Sequence, residues 1–494
     1  MLSVIVFLPL ALALGLAVAP VPAALSRWTW LVTSVVVLGL VAVVWGGRDT
    51  GASGLTAEAQ VPWIPSVGSS YHVGVDGLSL PLLALTAVVF VAAAIHSMRQ
   101  DDRPRPHAAL FLFLESTCLG LFVAQDLILF FVFFDLSIVG MYFAISRWGH
   151  GDRARSALTF FLYTFLGSLA LLAGFIGLAV YAQPHTFDIP ALVQAAPLQA
   201  HPVAGGFVLA ALLLGLAIKT PTVPFHTWLP PAHTDAPTVG SVVLAGVLLK
   251  MGTYGFVRVA MPMLPDSWRA WSWVIIVVGV VSVLYGALVA LAQTDLKRMI
   301  AYTSVNHMGY VVLGVGAAGL LAPSDAAARE AAVNGAVTQM VSHGLITGAL
   351  FLLVGVLHER RGTYAMDAYG GLAGPAPRLA TLFALAAFAS LGLPGFSGFI
   401  AEFQVFTGSI ALAPVTAVAL LGIIVTAALF LRALQRVFTG PTTGKVQGFT
   451  DLHTHEWLPA GLLVALAVVV GIVPRVVLDT IAPAARSVVE LVSR

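Results

Sequence analysis

Charge and sulfur are what this sequence lacks. Only 9% of its 494 residues are Asp, Glu, Lys or Arg, against about 25% in soluble domains, so a water-facing surface all round is excluded. The cations and anions nearly balance at 24 and 22, and no basic stripe is available for nucleic acid. The single cysteine, Cys118, lies in an apolar run. It excludes an internal disulfide and any Cys-ligated cluster or zinc site. There is no P-loop, so ATP does not drive transport through this chain. Gly314 to Gly319 spells GxGxxG, but it ends an apolar span instead of following a strand and implies no nucleotide. Asp451, His453, His455 and Glu456 lie in a loop, and their spacing matches no strong metal signature. The first nineteen residues are apolar without a basic n-region, which predicts a retained first span rather than a cleaved signal.

What is present is hydrophobic sequence. The composition is 59% hydrophobic and the mean hydropathy is +0.96, the profile of an all-α polytopic membrane protein. On a ruler of ~20 apolar residues per crossing, about fourteen spans fit the chain. Spans 7 (204–230) and 12 (379–412) are each broken. Short loops make one bundle, divided by pattern into an N-terminal three-span segment (1–107), a first five-span unit (108–258), a second (259–435) and a C-terminal loop with the last span (436–494). The segment DLILFFVFFDLSIVGMY (126–142) resembles DLKRMIAYTSVNHMGY (295–310) at an offset of 169, and the breaks at Pro221 and Pro394 are offset by 173. Five spans per unit is odd, so the second unit is inverted relative to the first, a transporter signature. Connections after odd-numbered spans hold fifteen Lys and Arg, among them Arg99, Arg153, Lys297 and Lys445. Those after even-numbered spans hold four: Arg48, Arg258, Arg269 and Arg329. The positive-inside rule makes the odd loops cytoplasmic and puts both termini outside.

Several ionisable groups fall inside spans, where lipid should be: Glu115, Asp135, Lys219, Lys250, His307, His343 and Glu402. Each charged residue at a helix centre costs about 2.5–3.5 kcal/mol on insertion scales, so the five carboxylates and lysines together cost on the order of 10 kcal/mol. A mere scaffold has no reason to carry that. Lys219 stands two residues before Pro221 and five before Pro224, which have no N–H for the carbonyls of Ala217 and Thr220. Taken alone it reads equally as a kinked helix with a snorkelling lysine. Asp135 is its obvious partner. Lysine, carboxylate and histidine exchange protons when neighbours move, so a chain of them at mid-depth reads as a proton relay. Either histidine alone also reads as a satisfied packing residue. The second break, around Pro394 and Gly395, carries Glu402 about two turns later, an acid where the first unit bears a base. His226 and His233 either extend the relay or pack against the prolines.

The runs LAIKTPTVPFHTWLPPAHTDAP (216–237), VLLKMGTYGFVR (247–258), SVNHMGY (304–310) and SLGLPGFSGFIAEFQVF (390–406) resemble the antiporter-like membrane subunits of proton-pumping NADH:quinone oxidoreductase, respiratory complex I. The resemblance covers nearly the whole chain. Glu402 in the second break points to the M-type subunit, subunit 4 in mitochondria, since its siblings place lysine there. The larger L-type sibling would carry a C-terminal extension, and no sequence after Arg494 supplies one. The resemblance implies that Lys219 is the central protonatable lysine with Asp135 as its carboxylate. Lys250 is then the linking lysine, His307 and His343 the bridging histidines, and Glu402 the terminal residue. It implies no redox cofactor in this chain, with NADH, FMN, iron–sulfur clusters and quinone handled by partner subunits. Sibling antiporter-like chains and lipid are the expected neighbours, in a bacterial cytoplasmic membrane. Two positions depart from the family. Asp135 replaces the usual glutamate, which predicts a longer or water-bridged contact to Lys219. Pro231 replaces a common aspartate. The alternative is a subunit of a stand-alone cation/proton antiporter; a third reading is a structural spacer.

Overall fold

The computed structural model describes residues 1–48, 54–321, 326–442 and 446–493; Lys445 and Arg494 lie outside them. In chain order the helices are α1 (Leu2–Val18), α2 (Ala23–Gly46), α3 (Ser79–His96), α4 (Pro104–Val123), α5 (Leu127–Trp148), α6 (Arg153–Tyr181), the short α7 (Ile189–Ala195), α8 (Pro202–Lys219) and α9 (Leu229–Asp235). There follow α10 (Thr238–Met263), α11 (Pro265–Ala292), α12 (Leu296–Ala317), α13 (Ala326–Arg361), α14 (Pro377–Ser390), α15 (Ser397–Leu412), α16 (Pro414–Val437), α17 (Thr454–Ile472) and α18 (Arg475–Ser493). Among the described residues eleven helices are long and apolar enough to cross a membrane. Of the rest, α1 is short at 17 residues. The 22-residue α12 is interrupted by Lys297, Arg298, Asn306 and His307, and α14 and α15 are halves of one broken run.

Two features depart from the sequence reading. The chain is not wholly helical: β1 (Thr56–Ile64) and β2 (Ser69–Val75) form an antiparallel hairpin between α2 and α3. Past α17, the expected tail is a helix, α18, whose apolar stripe (Val477, Ile481, Ala484, Val488, Val492) is buried at helical spacing. It also accounts for the arginines of the sparsely basic face. Arg48 donates to Thr480 O (3.2 Å), Arg269 to Val492 O (2.9 Å) and Arg329 to Ser493 Oγ (2.6 Å), all on α18. The fourth, Arg258, pairs with buried Asp76. These four cations are structural ties.

The hairpin is held by His72, 2% exposed. Its Nδ1 lies 2.5 Å from Asp188 Oδ2 and its Nε2 2.8 Å from Glu58 Oε1. Burial pushes the imidazole pKa down, but the hydrogen bonds and charges of Asp188 and Glu58 outweigh it, and the net shift is upward. A raised histidine pKa stabilises below the unfolded value of about 6.5 and loses that contribution as pH rises through the folded value. Amide protection factors in β2, with the intrinsic base-catalysed rate divided out, should therefore be higher at pH 6 than at pH 9, and His72→Ala should erase the difference. Equal protection at both pH values in the wild type would contradict this.

Two stretches of the chain start the same way. Asp126 caps α5, its side chain accepting from Ile128 N and Leu129 N, and Asp295 caps α12, accepting from Arg298 N. Each aspartate forms an isolated bridge to the connection beyond the following helix, Asp126 with Asp188 and Asp295 with Ala365. The flanking bonds correspond as well. Leu127 N meets Phe187 O as Leu296 N meets Tyr364 O, both at 2.9 Å. Helices α11 and α12 touch backbone to backbone. A Cβ on Gly286 would stand 2.6 Å from Asn306 N, and one on Gly309 would stand 2.7 Å from Val283 N. Close approach at small residues is how apolar helices pack without a hydrophobic drive between them, and it fixes the position of His307 on α12.

Candidate functional site

The first break ends α8 at Lys219. The carbonyls it releases are taken up again locally: Ala217 O accepts from Thr222 N (3.1 Å) and Thr222 Oγ1 (3.3 Å), and Ile218 O from buried Trp228 Nε1 (2.9 Å). Lys219 is 1% exposed. Its Nζ donates to Ser137 Oγ at 3.3 Å and stands 4.7 Å from the Phe134 ring centroid. Asp135 does not pair with it: no ion pair within 4.0 Å joins them among the described residues. The reason is helical register. Phe134 and Ser137 share one face of α5, and Asp135 is turned about 100° from Phe134. It is half-buried beside Ser168 of α6, and its Oδ1 has no partner.

The remaining relay candidates fall along one line. In α10 a π-helical stretch, Leu244–Leu248, runs directly into Lys250. The widened turn offers Ala245 O to the Lys250 ammonium. The same Nζ lies 2.7 Å from His343 Nδ1, and His343 Nε2 lies 3.1 Å from Ser304 Oγ. A charged lysine can only donate, so His343 accepts at Nδ1 and its Nε2–H donates to Ser304. The His343 and His307 ring centroids are 5.5 Å apart. His307 Nε2 lies 3.0 Å from Ser390 Oγ, and its Nδ1 lies 3.0 Å from Gln339 Nε2 and 3.8 Å from Glu402 Oε1. Gln339 Oε1 is unpartnered, so rotating that amide serves whichever His307 nitrogen holds the proton. Between these groups a cavity of about 10 Å³ is room for one water.

The second break supplies the end of the line. α14 stops at Ser390, and Gly392 (φ +71°) and Gly395 (φ +99°) turn the chain into α15. Glu402 is 5% exposed. Its carboxylate lies in the space a side chain at Gly392 would need, Oε2 being 2.4 Å from where a Cβ would stand. Glycine is thus required there twice over, for backbone and for space.

The structure separates the other expected residues from this line. Glu115 is fully buried and accepts from Ser34 Oγ at 2.7 Å, with Oε1 unpartnered. His226 packs edge-on against Tyr285, centroids 5.1 Å apart. His233 stacks flat on Phe351 at 4.6 Å, and neither ring nitrogen has a partner. One residue escaped the sequence reading. Lys297, counted as a loop cation, is 1% exposed. It donates to Ala236 O (2.6 Å) and Thr234 O (3.4 Å) at the C-terminal end of α9, where cations are favoured. It is the second residue of α12 and so lies inside an element rather than in a loop. The four residues expected in one loop are divided by the start of α17, which takes in His455 and Glu456, and the carboxylates have structural uses: Asp451 accepts from Arg378 N and Leu379 N, and Glu456 pairs with Arg360 at 2.6 Å.

A sequence model of the family described as NADH:quinone oxidoreductase/Mrp antiporter, TM, matches residues 124–430. A Rickettsia prowazekii (strain Madrid E) protein described as NADH-quinone oxidoreductase subunit M is 40% identical over 423 residues, 84% of this chain and 83% of that one. A Rhodobacter capsulatus protein of the same description is 38% identical over 507 residues, covering 99% and 96%. Among solved structures, a chain of respiratory complex I from Thermus thermophilus with bound NADH matches with a TM-score of 0.89 at 31% identity, over 100% of both chains.

Proposed function

The chain belongs to the NADH:quinone oxidoreductase/Mrp antiporter family of membrane subunits, and from that premise we propose that it translocates protons as the M-type subunit of a respiratory NADH:quinone oxidoreductase. NADH oxidation and quinone reduction, with their FMN and iron–sulfur clusters, belong to partner subunits; this chain contributes no redox centre. The observation that carries the reading is the polar line Lys250–His343–His307–Glu402 through otherwise apolar helices, with one hydrogen bond at its start and gaps of a water's size between the two rings and before the carboxylate.

That line works one proton at a time. Two imidazolium rings 5.5 Å apart would repel by about 3 kcal/mol at an effective dielectric of about 20. A proton passed from Lys250 to His343 Nδ1 must therefore leave before the next arrives, and Glu402 is the base that takes it by way of His307. Lys219, bonded to Ser137 with Asp135 turned away on the same helix, is the responsive element: a carboxylate moving nearer would raise its hold on a proton, and withdrawal would lower it. Neighbouring antiporter-like subunits supply that push as a lateral charge or conformational signal.

The finer architecture is part of the same reading. Fourteen spans cross the membrane, with α8–α9 and α14–α15 as two discontinuous ones. The units 108–258 and 259–435 are inverted copies, which the matched Asp126 and Asp295 caps support. Both termini lie on the outer side of a bacterial cytoplasmic membrane.

The family also contains Mrp antiporters, so the transported ion decides the matter. In proteoliposomes of the purified complex, NADH should drive proton uptake that an uncoupler collapses and that needs no sodium. Sodium transport by this chain without redox partners would favour the antiporter reading instead.

A further inference from the structure

The line from Lys250 to Glu402 has an end inside the protein, and a proton must reach it. A second cavity, about 360 Å³, lies at the strongly basic face. Every loop that lines it follows an odd-numbered span. Five histidines stand in its wall: His96, His107, His150, His358 and His455. None of them belongs to the relay already described.

Three rings form a stack leading inward. His150 and His358 are 4.5 Å apart at 30°, and His358 and Tyr364 are 4.5 Å apart at 18°. The Lys297 ammonium stands 5.0 Å from the centroid of the same Tyr364 ring. Lys297 bonds the carbonyls of Thr234 and Ala236, the first next to His233 in the chain and the two flanking Asp235 at the end of α9. His233 is fully buried with both ring nitrogens unpartnered. That is a costly arrangement unless a proton or water visits. Its ring lies within electrostatic reach of both Lys297 and Lys250. Along α13, His343, Phe351 (the ring under His233) and His358 fall within about 80° of one another, over a rise of about 22 Å. One helix thus runs past both the surface cavity and the buried line.

We propose that this cavity is the proton-collecting vestibule of the subunit. Protons from the basic face enter at the His150–His358–Tyr364 stack and pass by Lys297 and His233 to Lys250. Hydronium gives its proton to the unpartnered Nε2 of His150 and leaves as water. Burial, with the nearby charges of Lys297 and His358, holds the His150 pKa down to about 4, so that ring is a free base at neutral pH. Lys297 takes the proton next, having released its own toward His233. The proposal rests on the relay reading above and extends it to the side from which protons come.

The test uses the assembled complex in inverted membrane vesicles, with NADH oxidation and proton uptake recorded together. His150→Ala/His358→Ala should lower uptake by about a hundredfold, the lower end of what positioned acid–base groups contribute. Added imidazole, which fits the vacated space, should restore it. Lys297→Arg keeps the charge, the ring contact and the carbonyl bonds but cannot release a proton; it should pump as poorly as Lys297→Met. Wild-type uptake in Lys297→Arg, or a loss in the histidine variant that imidazole leaves untouched, would overturn the vestibule. Lys250→Met separates the two readings. If it is inactive while the vestibule variants pump, the intake route fails and the relay stands; if it pumps too, the relay itself fails.

Discussion

Replacing Lys250 by methionine should abolish NADH-driven proton uptake by the complex while leaving its assembly intact. Methionine is unbranched and fills nearly the same volume, so the packing of α10 survives. The ammonium it removes is completely buried and bonded only to Ala245 O and His343 Nδ1, both neutral groups. Deleting an uncompensated buried charge relieves a desolvation cost, so the variant complex should melt no lower than wild type. Function should fall by at least about a hundredfold, because no other group offers His343 a proton at that nitrogen. Lys250→Arg sharpens the point: it keeps a cation that never lets its proton go and should be equally inactive. Proton uptake per NADH oxidised, with native-gel assembly as the control, measures both. Normal uptake in either variant would remove Lys250 from the relay.

The second large effect is expected at Glu402. Glutamine has the same shape and fits the same space beside Gly392, so Glu402→Gln should fold and assemble normally. It cannot, however, take a proton from His307, whose Nδ1 is 3.8 Å from Oε1. Proton uptake should drop by about a hundredfold or more. Glu402→Asp, one methylene shorter, keeps the chemistry but lengthens the transfer, and should retain an intermediate rate. If Glu402→Gln pumps like the wild type, the line does not end at this carboxylate.

Much of this site was legible because a charge in an apolar run stands out against its surroundings. Lys250, His307, His343 and Glu402 were all found that way, and both breaks were announced by proline and glycine, whose effects are local. What failed to show was set by three-dimensional register. The separation of Asp135 from Lys219 depends on how α5 is rotated, which no spacing reveals. Lys297 looks like any loop cation until α12 is seen to begin one residue earlier. The hairpin hid because β1 is almost wholly exposed and interrupted by Pro62, so it shows no alternation. α18 escaped a ruler tuned to long apolar runs, since only one face of it is apolar. The π-helical turns of α10 left no compositional trace, yet one of them presents Ala245 O to Lys250.

On the proposed reading, ionisable groups in the middle of this bundle are joined by water and side chains into a conducting line. Ordered solvent in a high-resolution electron-microscopy map of the assembled complex tests it most directly. Density is expected for water between the Ser137–Lys219 pair and Lys250, and for at least one water among His307, Gln339 and Glu402. Dry apolar packing at both places, with Lys219, Lys250 and Glu402 turned toward lipid, would contradict it.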